Sequence, residues 1–134
     1  MKTFKTKWNH KAIEDDIMYM SKEGKSFVTA FRNMLKRELA NTDIEIVSIK
    51  AGHYDLSGFL KSTDGRYLYV SYDIPRHGAA IDFSATGAGN SVLYRTAKND
   101  KDFRGGMNRF SPLEQLPTAI KSIYGNPARW NEVA

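Results

Sequence analysis

The chain has 134 residues, 41% hydrophobic and 12% aromatic, with a formal net charge of +5 and no cysteine. That length fits one domain, residues 1–134, with enough apolar material to build a core without a metal or covalent staples. The composition excludes disulfides, cysteine-based zinc sites, iron–sulfur clusters and thiol catalysis, and no run approaches the roughly 18–20 apolar residues needed to span a bilayer.

The opening stretch MKTFKTKWNHK is charged and no apolar signal-type region follows it, so an unexported, cytoplasmic chain is expected. Residues 9–20 place Ile13, Ile17 and Met20 at helical spacing around Glu14, Asp15 and Asp16, which predicts a short amphipathic helix. From Lys25 to Ala40 the residues Phe27, Val28, Phe31, Met34, Leu35 and Leu39 follow a 3.6-residue period, while Arg32, Lys36 and Arg37 fall largely on the other side. A helical region over 9–40 results. Asn41-Thr42-Asp43 breaks it, and Ile44 to Ile49 then alternates as a strand.

A run from His53 to Lys61 and another from Arg66 to Ile74 flank Ser62-Thr63-Asp64-Gly65, whose Asp-Gly pair signals a tight hairpin. In the second run Leu68, Val70, Tyr72 and Ile74 alternate with Tyr67, Tyr69, Ser71 and Asp73, so an apolar face should meet the helices. Pro75-Arg76-His77-Gly78 interrupts the pattern, Ala80 to Ser84 resumes it, and Ser91 to Thr96 is extended, giving a β-meander over 44–96. After a loop over 97–110, Ser111-Pro112-Leu113-Glu114 has the form of a capping box with proline at the first helical position. It predicts a C-terminal helix over 112–124, interrupted at Pro117 and ended by Gly125, with Leu113, Leu116, Ile120 and Ile123 toward the sheet. The expected architecture is α+β: an antiparallel four- to five-stranded meander sheet with N-terminal helices and a C-terminal helix packed on one face.

The charge is unevenly placed. Residues 1–11 carry +4 and residues 93–110 carry +3, whereas 41–92 carry −2 and the remainder is neutral. Within LYRTAKNDKDFRGGMNRF, residues 93–110, five cations, two carboxylates and three aromatics surround a Gly-Gly pair. Arg95, Lys98, Lys101, Phe103, Arg104 and Arg109 are the candidate partner-binding residues: arginines and aromatics anchor interfaces, and lysines steer encounter. The same cations, with Tyr94, Phe103, Tyr67 and Tyr69, could instead hold single-stranded DNA or RNA by phosphate neutralisation and base stacking. A third pattern is structural: Asp100 and Asp102 pair with Arg95 or Arg104, and Gly105-Gly106 supplies backbone conformations that side chains resist.

His53, Asp55, Asp73 and His77 lie on or beside adjacent predicted strands, with Asp82 further on, and imidazole with carboxylate is adequate ligand chemistry for zinc. The bland reading of the same residues is a solvated turn and surface acids. No G-x-S-x-G elbow, P-loop, H-E-x-x-H or dinucleotide fingerprint occurs, and GAGN at 87–90 lacks the strand-to-helix context of a nucleotide-binding turn. A non-enzymatic protein is expected.

The stretch Leu93-Tyr94-Arg95-Thr96-Ala97-Lys98, followed by Lys101-Asp102-Phe103 and Gly105-Gly106-Met107-Asn108, resembles a signature of small proteins encoded by bacteriophages and other mobile elements. The likeness is closest over the motif and looser upstream, covering roughly residues 44–110. It implies a mobile-element origin and an ordered loop, and it carries no catalytic residue across. Compact phage proteins of this kind often disable a host machine by binding it, and anti-CRISPR proteins are one such class. The resemblance thus points to a host effector as partner, a type II Cas nuclease foremost, blocked by stoichiometric occlusion. At +5 the chain lacks the charge of members that imitate a phosphate backbone.

Overall fold

A computed structural model of the chain describes residues 24–51, 55–73 and 91–132. Helix α1 (Gly24–Glu38) is followed by β1 (Ile44–Ala51), β2 (Asp55–Ser62), β3 (Tyr67–Asp73), β4 (Ser91–Ala97) and β5 (Arg109–Pro112). A 3-10 turn (Leu113–Gln115), helix α2 (Leu116–Tyr124) and a closing 3-10 helix (Pro127–Glu132) complete the described chain. The five strands form one sheet in the order β1-β2-β3-β4-β5, each antiparallel to its neighbour. This is the expected α+β meander, with the helices gathered on one face.

The helical period of α1 buries Val28, Phe31, Met34, Leu35 and Leu39, and α1 packs on β1. Thr42 ends the turn that follows: its hydroxyl donates to the Leu39 carbonyl at 2.7 Å and accepts from the Ile44 N–H at 3.2 Å. Leu56, Leu60, Leu68, Val70, Tyr72 and Val92 supply the sheet side of the same core, and Leu113, Leu116, Ile120, Ile123 and Tyr124 close it from the C-terminal side. Burial in this core pushes the Tyr72 phenol up to about 12.

Three features differ from the sequence pattern. The alternation of β1 is interrupted by a bulge between Ile46 and Ser48, which leaves Val47 exposed. The fifth strand comes from residues 109–112, across the end of the expected loop over 97–110 and the start of the expected helix over 112–124, whose α-helical part begins only at Leu116; the expected strand at 80–84 and the helix at 9–20 lie outside the described residues. The capping box does not form: Ser111 belongs to β5, its hydroxyl donates to the Pro112 carbonyl at 2.9 Å, and no side chain caps the 3-10 turn. Pro117 opens α2 instead, where its missing N–H costs nothing, and Gly125 caps the end.

The C-terminus is clamped to the hairpin. The Trp130 indole N–H donates to the Tyr67 carbonyl at 2.7 Å, and the Tyr124 hydroxyl donates to the Arg66 carbonyl at 3.0 Å. Arg66 lies over both rings, 5.3 Å from the Tyr124 centroid and 4.9 Å from that of Trp130. Residues 113–132 are thereby held against β3 and β4, and Glu132 is brought to the loop between β4 and β5.

Candidate partner-binding surface

Opposed residues of antiparallel strands share a face. The pairs Phe59↔Tyr69 and Tyr69↔Arg95 therefore make one row across the side of the sheet away from the helices, and Ser71↔Leu93 and Leu93↔Phe110 make the next. A small second core of Phe59, Tyr69 and Ala97 forms there. The β4–β5 loop folds over it, so that the Phe103 ring meets Phe59 at 5.3 Å and Tyr69 at 5.8 Å, in an edge-to-face arrangement with each. Such edge-to-face contacts contribute about 0.5–1.5 kcal/mol each beyond area burial.

One carboxylate closes the loop. Asp102 Oδ2 accepts the Lys98 N–H at 2.9 Å, and Oδ1 accepts those of Arg104 at 3.2 Å and Gly105 at 2.9 Å. The Lys98 N–H, with the other two behind it, holds the carboxyl below the usual aspartate range. The expected pairing of loop acids with Arg95 or Arg104 side chains is replaced by pairing with backbone. Lys98, Lys101 and Arg104 contribute N–H groups to the turn and keep their side chains exposed.

The Gly-Gly pair is required by proximity rather than by backbone angle. Among the described glycines only Gly65 has positive φ. A Cβ on Gly105 would lie 1.9 Å from the Thr96 carbonyl oxygen, and one on Gly106 would lie 2.2 Å from the Thr96 hydroxyl. The Gly106 N–H donates to the Thr96 carbonyl at 2.7 Å, so the returning loop rests directly on β4.

Glu132 fixes the far side of the loop. Its carboxylate takes a bidentate pair from Arg109, at 3.1 and 2.6 Å, and accepts the Met107 N–H at 3.3 Å. The Arg109 contact is the main cause of its lowered pKa. Arg109, expected among the partner-binding residues, is thus spent inside the molecule and is mostly buried. Arg95 is partly spent as well: its guanidinium covers the Tyr69 ring at 4.8 Å and donates to Asn108 Oδ1 at 3.2 Å, while its buried Nε has no partner.

The outward residues are therefore Lys98, Lys101, Phe103 and Arg104 from the expected set, joined by two that composition did not single out. Phe103 is 57% exposed, Met107 64% and Phe110 65%. Their signal was present as large apolar residues in a charged segment, but without the register of β5 nothing marked Phe110 as outward. Tyr69 is 9% exposed, so it lies beneath Phe103 and Arg95 rather than open for stacking.

Of the expected zinc ligands, His53, His77 and Asp82 lie outside the described residues, and Asp55 and Asp73 are opposite each other on β2 and β3. Among the described residues no three His, Cys, Asp or Glu side chains gather as a metal site, and no helix is long and apolar enough to cross a membrane. Comparison with protein families, with characterised proteins and with solved structures found no match.

Proposed function

We propose that the chain is a non-enzymatic binding protein that acts in the cytoplasm of a bacterial host cell and occludes a protein effector with the β4–β5 loop and the adjoining β5 edge. The observation that carries this reading is the combination of large exposed apolar side chains with a fixed backbone. Phe103, Met107 and Phe110 are each more than half exposed, on a segment tied down by Asp102, Thr96 and Glu132. A loop already held in one shape loses little entropy on docking. Aromatic residues, methionine and arginine are the types that interface centres favour.

The resemblance to phage and mobile-element proteins supplies the class of target: a host defence effector, with a type II Cas nuclease the leading one and inhibition by stoichiometric occlusion. Single-stranded nucleic acid is the second reading, favoured by the exposed Lys98, Lys101 and Arg104 beside two exposed rings.

The test is inhibition by titration. Mixed with the nuclease, the protein is expected to co-elute on size exclusion and to suppress cleavage near equimolar ratio. Phe103→Ala is expected to weaken the complex by about 30-fold, the loss typical of a central anchor. A complex indifferent to Phe103→Ala moves the surface elsewhere on the molecule. No complex, together with binding of bare oligonucleotide that falls steeply with salt, selects the second reading.

A further inference from the structure

Resting on the reading of the β4–β5 loop as the docking surface, we infer the chemistry of the partner: an apolar pocket rimmed by aspartate and glutamate side chains, which receives the Phe103 ring. The Phe103 ring is steeply inclined to the two rings beneath it, at 66° to Phe59 and 83° to Tyr69. Its lower side is fixed against Phe59 and Tyr69, and 57% of the residue projects beyond them. A ring held this way is a peg, and its shape complement is a pocket.

The charge around the peg is positive. Lys98, Lys101 and Arg104 are exposed within five residues of it, whereas Lys61, farther off on the same face of the sheet, is opposed there by Glu45 and adds nothing net. The loop's own acids do not cancel this rim. Asp102 faces inward onto three backbone N–H groups, which leaves Asp100 as the exposed carboxylate of the loop.

A second copy of this chain is a poor occupant, because a symmetric contact through Phe103 brings like charges together. A nucleic-acid strand would use the cations but wants ring faces laid flat for successive bases. Here Tyr69, the ring at the centre of the row, is 9% exposed beneath Phe103 and Arg95 and offers no open face. A pocket ringed by carboxylates uses the peg and the rim together, with the ring anchoring and the lysines raising the rate of encounter.

The probe is a random peptide library displayed on yeast and selected against the purified full-length protein at near-physiological salt. Selected peptides are expected to combine aspartate or glutamate with a central cluster of leucine, isoleucine, methionine or phenylalanine. Their binding should fall roughly tenfold or more with Phe103→Ala, and again with Lys98→Glu, Lys101→Glu and Arg104→Glu combined. Circular dichroism of each variant confirms that the fold is retained.

Selection of peptides without acids, or no selection at all, overturns the inference. So does binding of oligothymidylate more tightly than the best peptide, or self-association that Phe103→Ala abolishes. An effector complex that loses affinity with Phe103→Ala yet ignores the three charge reversals would defeat the acidic rim while leaving the docking surface standing.

Discussion

The β2–β3 hairpin turn and the β4–β5 loop are each organised around a single aspartate, and they treat their cations in opposite ways. In the hairpin, Asp64 accepts a bifurcated hydrogen bond from the Arg66 Nε–H, at 3.0 and 2.8 Å to its two oxygens, besides one from the Ser62 hydroxyl. The same guanidinium donates to the Tyr124 carbonyl at 2.8 Å and covers the rings of Tyr124 and Trp130. The acid, the base and the aromatics are all consumed in joining the hairpin to the C-terminal helices. In the loop, Asp102 spends its oxygens on backbone N–H groups. The cations beside it then have no internal task, and the ring at position 103 points outward. Whether an acid in a charge-rich segment binds side chain or backbone decides whether that segment's bases are structural or available.

Substitutions can break this contrast at several points. The largest stability effect is expected from Gly105→Ala, which drives a methyl group into the Thr96 carbonyl with no flexible neighbour to yield; about 3 kcal/mol is expected in denaturant titration. Next is Arg66→Ala. Loss of its hydrogen bond to Tyr124 and of its stacking on two rings should cost about 2 kcal/mol, whereas Arg104→Ala should stay within about 0.5 kcal/mol of the parent. Equal losses from the two arginines would show that Arg104 also has a structural role. Gly65→Ala comes third, at about 1 kcal/mol: its φ of 87° is left-handed but nothing lies within 4 Å of a Cβ there. Gly65→Asn should recover most of that loss, since asparagine tolerates the left-handed region. Gly105→Asn should recover nothing relative to Gly105→Ala, because the barrier there is contact rather than conformation.

Much of the fold could be read locally. The helical period of α1, the Asp-Gly turn and the strict alternation of β3 each depend on neighbours a few residues apart, and each appears where the spacing put it. What escaped was set by distant partners. β5 is only four residues, charged at one end and closed by proline, and it is a strand because β4 offers it a free edge. Arg109 reads as a surface cation until Glu132, 23 residues later, is brought beside it by the Trp130 and Tyr124 clamp. The candidate surface shows the same split. Phe103 and three of the five cations of residues 93–110 stand where a local reading puts them, whereas Phe110 faces outward only through its register with Leu93.

The smallest expected effect tests whether Asp102 acts as a charge or only as an acceptor. Its folded pKa is lowered, chiefly by the Lys98 N–H, so the stability it contributes is present above the unfolded value of about 3.9 and is lost as pH falls through the folded value. Asp64 shifts in the same direction, with the Ser62 hydroxyl as the largest cause, and Glu132 does so through Arg109. These carboxylates therefore predict no change in melting temperature between about pH 7 and 5 and a fall beginning below about pH 4. Asp102→Asn keeps one acceptor oxygen and should cost about 0.5 kcal/mol at neutral pH while making the acid-side fall shallower. Because the loop rather than the hairpin is released, amide exchange at Lys98, Arg104 and Gly105 should accelerate in this variant, while exchange at Gly65 and Ser62, held by the hairpin's own bonds, stays as it was. Acceleration at both turns would mean that the two aspartates support one cooperative unit, and the contrast between structural and available cations would have to be redrawn.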